Sequence, residues 1–280
     1  MPPETPTLRY PRLLSIAGSD SGGGAGIQAD LKTFCALGCF GTTAITAITA
    51  QNTTGVRAIH AVPVQVLADQ IDAVVEDIGV DAVKIGMLHA PDVVRTVAAA
   101  IDRHRLATIV LDPVMIATSG AVLIDATAVD VLVRELFPRA LVVMPNLDEA
   151  AHLVGRPLAG ERDMEDAAQR LLAMGARAVL IKGGHLAGDQ VTDLLAQAGG
   201  ERIWMRAPRI DTPNTHGTGC TLSSAIAAHL ARGLGLADAV QAARQYVRGA
   251  LEAGARVRTG HGSGPLNHGY APVAMLRLPL

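Results

Sequence analysis

Aromatic residues are almost missing from this chain: Phe, Tyr and Trp together make up 2% of its 280 residues, while hydrophobic residues make up 49%. A core of that size must be built from Ala, Val, Ile and Leu, a composition that suits apolar parallel strands covered by helices. Cysteine is equally scarce. Cys35, Cys39 and Cys220 form neither a metal-ligand spacing nor an even disulfide set, which excludes a disulfide scaffold and fits a reducing compartment. Excess positive charge is absent as well. The formal net charge is −2, and no basic stripe interleaved with aromatics occurs, so nucleic acid and anionic membrane surfaces are excluded as partners. No apolar segment approaches the ~20 residues that span a bilayer. The start, "MPPETPTLRYPR", is proline-rich and polar, without the apolar stretch of a signal peptide. The expectation is a soluble, cytoplasmic protein, with residues 1–11 a loose tail and 12–280 a single domain. Lysine is rare too: only three of the 24 lysines and arginines are lysine, namely Lys32, Lys84 and Lys182. Each is a candidate for a place that needs a compact cation.

What is present alternates. An apolar strand at 13–17 runs into the glycine-rich "GSDSGGGAG", and a helix follows with Ile27, Leu31, Phe34 and Cys35 on one face, closed by Gly38. Residues 40–50 alternate Thr with Ala and Ile as a strand does, and a short strand near 58–62 precedes an amphipathic helix over 64–77. Strands at 82–85, 108–111, 141–144 and 178–181 then alternate with helices near 91–104, 126–136 and 163–174. Two β-like pieces, "QVTDLLA" and "RIWMRAP", precede helices near 219–232 and 237–253. This order predicts a parallel α/β sheet covered by helices on both faces. Ligands bind such sheets beyond the carboxyl ends of the strands. That is where "GSDSGGG", "DPVM", "PNLDEA" and "KGGH" lie, so they should converge on one cleft.

Each motif admits a functional and a plain structural reading. "GSDSGGGAG" resembles a phosphate loop but lacks the Walker ending and fits the dinucleotide fingerprint poorly. Asp30 falls on the inward side of its helix, so it either binds a ligand or forms a buried pair with Lys32 or an arginine. Gln51, at a strand end, offers a donor and an acceptor suited to a heterocycle edge, or is simply a solvated loop residue. Glu149 either interacts with its helix dipole or holds hydrated Mg²⁺ with Asp112. Lys182, before two glycines, could reach a phosphate as a point charge. His89, His185, His216 and His261 show no metal spacing, and His216 is the one placed to line a site.

The sharpest question comes from "NTHGTGCTLSSAIAAHL". Gly217 and Gly219 open a helix whose N–H groups would attract an anion, with Cys220 beside them. A thiol at a helix N-terminus has its pKa lowered. Cys220 is therefore a candidate base, or else a small packed hydrophobe.

Together with "AGSDSGGGAGIQADLKTF", "TAQNTTGV", "KIGMLH", "LDPVM", "PNLDEA", "KGGH" and "GHGSGPLNH", this stretch resembles the hydroxymethylpyrimidine/phosphomethylpyrimidine kinases of thiamine biosynthesis, in the ribokinase-like superfamily. The resemblance runs in order from about residue 12 to about residue 270. It implies a three-layer α/β sandwich with a mostly parallel central sheet, assembled as a homodimer. It also implies ATP- and Mg²⁺-dependent phosphorylation of 4-amino-5-hydroxymethyl-2-methylpyrimidine and then of its monophosphate. By the same resemblance Gly18, Asp30, Gln51 and Met87 hold the pyrimidine with Val114 nearby, Asp30 and Gln51 reading its ring nitrogen and amino group. Lys182 and the loop Thr215, His216, Gly217, Thr218 and Gly219 take the ATP phosphates. Asn146 and Glu149 match the superfamily's metal motif, acting through water, with Asp112 close by.

Two departures stand out. Family members commonly carry proline where this chain has Ser21, and much of the superfamily carries an aspartate base where this chain has Cys220. The cysteine is the pyrimidine kinases' own variant. The rival readings are a pyridoxal or pyridoxine kinase and a catalytically silent pyrimidine-binding regulatory module.

Overall fold

The computed structural model describes residues 7–116, 123–186 and 188–280. The first six residues of the expected tail therefore lie outside the described residues. From residue 8 the tail is not loose. Strand β1 (Leu8–Arg9) pairs with the C-terminal β12 (Leu278–Pro279), and Arg9 Nη1 lies 2.6 Å from Asp81.

Between these ends run β2 (Arg12–Ala17), α1 (Gly26–Ala36), β3 (Phe40–Ile45), β4 (Ala47–Asn52), β5 (Gly55–Ala61), α2 (Val64–Asp77) and β6 (Ala82–Ile85). Next come α3 (Pro91–His104), β7 (Ile109–Leu111), α4 (Ala126–Leu136), β8 (Val142–Val143), α5 (Leu147–Val154) and α6 (Glu161–Ala173). The chain continues through β9 (Ala178–Ile181), β10 (Gln190–Gln197), β11 (Arg202–Pro208), α7 (Thr218–Ala231) and α8 (Leu236–Gly254).

Eight strands form the central sheet in the order β11-β10-β9-β8-β7-β6-β2-β3. From β9 to β3 all pairs are parallel, and β10 is antiparallel to both β9 and β11. The reversal follows from the connection. The few residues between β9 and β10 are too few for a crossover helix, and a parallel neighbour needs one.

The buried helices and strands use Ala and branched aliphatics on both faces. Leu67, Val94, Leu132 and Leu171 of α2, α3, α4 and α6 pack on one side, with α1, α7 and α8 on the other through Phe34, Ala225 and Ala243. That is the three-layer, mostly parallel α/β sandwich.

The threonine-rich stretch at 40–50 departs from the sequence expectation. It is two strands, not one: β3 stays in the central sheet, while β4 leaves it and pairs antiparallel with β5 as a separate ribbon. The short α5 is a further element, started by the "PNLDEA" junction.

Candidate active site

The C-terminal ends of β2, β6, β7, β8 and β9 face the N-terminus of α7 across a cavity of about 1080 Å³. From β2 comes Gly18, which lies against the Met87 thioether from the end of β6; a Cβ at Gly18 would approach Met87 Cε to 2.8 Å. Gln51 enters from the β4–β5 ribbon. There the ladder register shifts between Ala50 and Gln51, a bulge of the kind that re-aims a side chain. Val114 lines the same wall as Met87.

On the opposite side three strand ends bring charge together. Lys182 Nζ, after β9, lies 2.6 Å from Asp112 Oδ1, after β7, and 3.7 Å from Glu149 Oε2. Asn146 and Glu149 form a reciprocal cap on α5: Glu149 N–H donates to Asn146 Oδ1 at 2.9 Å, and Asn146 N–H donates to Glu149 Oε2 at 2.7 Å. Asn146 is thus occupied as a helix cap, while Glu149 keeps an oxygen for other use. Burial pushes the Glu149 carboxyl up, Asp112 adds to this, and Lys182 opposes it. Burial alone would pull Lys182 down, but Asp112 and Glu149 hold it above its ordinary value. A cation can be shared between two carboxylates in this way only where they are drawn together in a place poor in water.

The loop before α7 is shaped by backbone contact. Gly217 has φ +84°, and a Cβ there would collide with the Gly24 carbonyl of the first glycine loop. At Gly219 a Cβ would stand 3.5 Å from both Asp112 Oδ2 and Lys182 Nζ. Thr218 N–H turns back to the Thr215 carbonyl at 3.2 Å, so the bare corners leave the N–H groups of Gly219 and Cys220, in the first turn of α7, beside the charged cluster. Thr215, Thr218 and Cys220 line the cavity here.

Two sequence expectations meet a different arrangement. Asp30 does not line the cavity. It is fully buried beneath it, where Ser15 Oγ (2.5 Å) and Lys84 Nζ (2.9 Å) donate to one oxygen and Ser224 Oγ (2.7 Å) to the other. The buried pair is therefore with Lys84, not with Lys32 or an arginine, because Lys84 projects from the neighbouring β6 while Lys32 reaches the Gly23 carbonyl. Fully buried and committed to these three donors, Asp30 does not reach the cavity from where it stands. Cys220 differs likewise: burial pushes its thiol up to about 11, with Lys84 opposing and Asp30 and Asp112 adding to the rise. At neutral pH the thiol holds its proton.

Several site residues were not read from sequence. Asp20 accepts N–H bonds from Gly22, Gly24 and Ala25 and pairs with His216 at 2.8 Å. Its signal was available, a lone short acid before a run of glycines, which is how an Asx-type turn is written. Arg209 donates to the carbonyls of Gly184, Leu186 and Gly188 and so holds the loop after Lys182. Asp193 accepts from Gly183 N–H at 2.8 Å and pairs with Arg244 at 2.7 Å. Neither contact leaves a local pattern in the sequence. His185 lies at the cavity rim on Asp148, and His89 and His261 take no part in the cluster.

Comparison with known proteins bears on the family of the chain. The family described as phosphomethylpyrimidine kinase matches residues 20–267. A hydroxymethylpyrimidine/phosphomethylpyrimidine kinase of Rhizobium meliloti (strain 1021) is 52% identical over 256 residues, covering 91% of this chain and 96% of that protein. Its counterpart in Escherichia coli (strain K12) is 47% identical over 259 residues, 92% of this chain and 97% of that one. Among solved structures, an ADP complex of Bacillus subtilis pyridoxal kinase superposes with TM-score 0.86 at 36% identity, covering 94% of this chain and 98% of that one. The phosphomethylpyrimidine kinase of Clostridium difficile 630 gives TM-score 0.75 at 40% identity, covering 85% and 97%. With a family match across nearly the whole sheet and relatives near half identity over nine-tenths of the chain, this protein belongs to the phosphomethylpyrimidine kinase family.

Proposed function

We infer that the chain transfers the γ-phosphoryl group of ATP to the hydroxymethyl group of 4-amino-5-hydroxymethyl-2-methylpyrimidine, and then to the resulting monophosphate. The observation that carries this reading is the meeting of Lys182, Asp112 and Glu149 with the open N-terminus of α7 in one cavity. Phosphoryl transfer asks a protein mainly to position two oxygens in line and to stabilise charge on the moving group. The substrate hydroxyl oxygen bonds to the γ-phosphorus as the bond to the β,γ-bridging oxygen breaks; ADP leaves with that electron pair, and the hydroxyl proton is released to solvent. Backbone N–H groups of Gly217, Gly219 and Cys220 receive the transferring anion, and Lys182 swings its charge between Asp112 and the phosphate oxygens. Gly18, Gln51, Met87 and Val114 form the wall for the pyrimidine.

Asp112 and Glu149, two carboxylates beside a phosphate-sized space, suit Mg²⁺, which binds few protein carboxylates plus phosphate oxygens and water. When bound it would neutralise charge on the phosphates. Asn146 supports it by fixing Glu149 through the cap.

The deciding assay is ATP turnover with the free pyrimidine alcohol, with its monophosphate and with pyridoxal. Phosphorylation of the first two supports the reading, and ADP release with neither refutes it. Turnover of pyridoxal would establish the second reading, which the likeness to the B. subtilis pyridoxal kinase favours. A silent binding module would show affinity without turnover.

Three further parts of the reading concern domain, assembly and location. A single domain over 12–280 fits one sheet covered on both faces. A homodimer fits the exposed Ile48 and Ile59 on the β4–β5 ribbon, and light scattering tests it. A cytoplasmic location fits three free cysteines, and among the described residues no helix is long and apolar enough to cross a membrane.

A further inference from the structure

Strand β9 ends at Ile181, and the next residue, Lys182, carries the cation of the charged cluster. The ladder with β10 stops just before it, at the pair Ile181–Leu194; one step further would have set Asp193 opposite Lys182. The backbone that leaves the ladder here is buried, and its polar groups need other partners. It also passes hard against β10: a Cβ at Gly183 would stand 1.8 Å from the Thr192 carbonyl oxygen.

Side chains take over where the ladder ends. Lys182 N–H donates to the Pro145 carbonyl at 2.9 Å, on the β8 side. Gly183 N–H donates to Asp193 Oδ1 at 2.8 Å, a buried bond. Asp193 Oδ2 accepts from Arg244 Nε of α8 at 2.7 Å. Arg244 Nη2 also donates, at 3.0 Å, to the carbonyl of Met205, the residue paired with Asp193 in β11. If Asp193 served only to tie α8 to the sheet, its contact with Arg244 would suffice. Its second oxygen is instead spent on the peptide that follows the cation. Both peptides of Lys182 are thus fixed, one from β8 and one from Asp193. A lysine side chain is a flexible four-carbon stem, so its reach is defined only as well as its backbone is held.

We propose that Asp193 is a positioning residue for phosphoryl transfer: anchored by Arg244, it fixes the Lys182–Gly183 peptide and so sets the reach of the Lys182 ammonium toward the nucleotide phosphates. The proposal rests on the reading above that Lys182 meets those phosphates. Asp193 is 5% exposed, and it lines the same cavity as Lys182 from the β10 side. Farther along, Arg209 holds the carbonyls of Gly184, Leu186 and Gly188, so the whole segment after Lys182 is fixed by side chains rather than by a ladder.

Steady-state kinetics with the pyrimidine alcohol and saturating ATP tests this in the wild type, Asp193→Ala, Lys182→Ala and the double variant. Asp193→Ala should lower kcat about tenfold, the scale for losing one hydrogen bond to a charged acceptor, and leave pyrimidine affinity by calorimetry unchanged. In the Lys182→Ala background the same substitution should change kcat by no more than about twofold, because the group it positions is gone. Asp193→Asn, which keeps the shape and one acceptor oxygen, should lose less, and it carries the same comparison if Asp193→Ala does not fold. Equal losses in both backgrounds would make Asp193 a support of the cavity wall alone and overturn the proposal while leaving Lys182 its role. A full rate in Lys182→Ala would overturn both. A measurement that needs no turnover is amide hydrogen exchange: Gly183 N–H should be protected in the wild type, and exchange at the rate of an open loop overturns the proposal.

Discussion

Lys182 forms its 2.6 Å ion pair with Asp112 across an intervening strand, since β8 lies between β7 and β9 in the sheet. The pair is therefore set by tertiary structure alone, and its ammonium is the cation nearest the α7 loop corner at Gly219. Lys182→Ala should leave Asp112 and Glu149 facing each other without a cation. Turnover at saturating pyrimidine should fall by about 10²–10³-fold, the scale for losing one charge stabiliser of the transition state. Steady-state kinetics at saturating ATP checks this. A change confined to the KM for ATP would reduce Lys182 to a ground-state contact.

Glu149 has two duties that substitution can separate. Glu149→Gln keeps an amide oxygen to accept from Asn146 N–H, so α5 should remain capped, while the charge offered to a cation is lost. The Mg²⁺ concentration for half-maximal turnover should rise several-fold, and excess Mg²⁺ should recover much of the rate. Glu149→Ala should in addition lose the cap, about 1 kcal/mol of stability by chemical denaturation. If added Mg²⁺ does nothing for Glu149→Gln, capping is the whole role of this residue.

Most of the architecture was legible because apolar period and glycine punctuation mark it locally. The helices at 64–77, 91–104 and 126–136 and the strands at 82–85 and 178–181 lie where that pattern places them. The Thr-rich stretch at 40–50 was harder, because the bend at Thr46 that parts β3 from β4 leaves no break in the alternation. Cavity-lining residues at strand ends, such as Asp112 and Lys182, were visible for the same topological reason. Asp30 was not, since its fate depends on Lys84 and Ser224, 54 and 194 residues away. No local spacing reports which cation a buried acid will meet. The same holds for Cys220, whose surroundings, Lys84, Asp30 and Asp112, come from distant parts of the chain.

Ser21 gives a prediction particular to this chain. Ser21→Ala removes both hydrogen bonds to the Gln51 backbone. The segment is exposed, so water takes over the backbone groups and stability should change by only about 0.5 kcal/mol. Pyrimidine affinity should nonetheless fall several-fold as the bulge loosens, with nucleotide affinity retained. Isothermal titration with each ligand separates the two. Equal losses for both would mean that Ser21 supports the site as a whole.

His229 should govern part of the acid stability. It is buried in α7, its Nε2 finds no hydrogen-bond partner among the described residues, and burial pulls it down to about 4 with Arg232 adding to this. Above the ordinary value of 6.5 both folded and unfolded forms are neutral, so the residue contributes no pH dependence there. As pH falls below that value the unfolded chain gains a proton that the folded one refuses, and stability is lost until pH nears 4. By pH 5 the loss should be about 2 kcal/mol. His229→Gln should flatten this fall, seen as a smaller difference between urea midpoints at pH 7.5 and 5. An unchanged difference would place the acid sensitivity elsewhere.

Cys220 offers the last test, because of the two roles open to it only one requires the thiol to be ionised. A general base must be free to accept a proton, and a thiol raised to about 11 is ionised in only about one molecule in 10⁴ at pH 7. The backbone N–H of the same residue needs no ionisation to face a phosphoryl oxygen. The expected outcome is therefore that Cys220→Ser, which keeps both backbone and size, retains turnover within about tenfold of the wild type at pH 7.5. The wild-type rate should also lack a limb that climbs with thiol ionisation between pH 7 and 10. Iodoacetamide should label Cys220 slowly at neutral pH and faster as pH rises, read against the exposed Cys35 in the same sample. A loss of about 10²–10⁴-fold in Cys220→Ser, partly recovered in Cys220→Asp, would instead require that substrate binding strips the thiol of its proton. In that case Lys84, which already opposes the rise from beneath the cavity, is the cation positioned to make it possible.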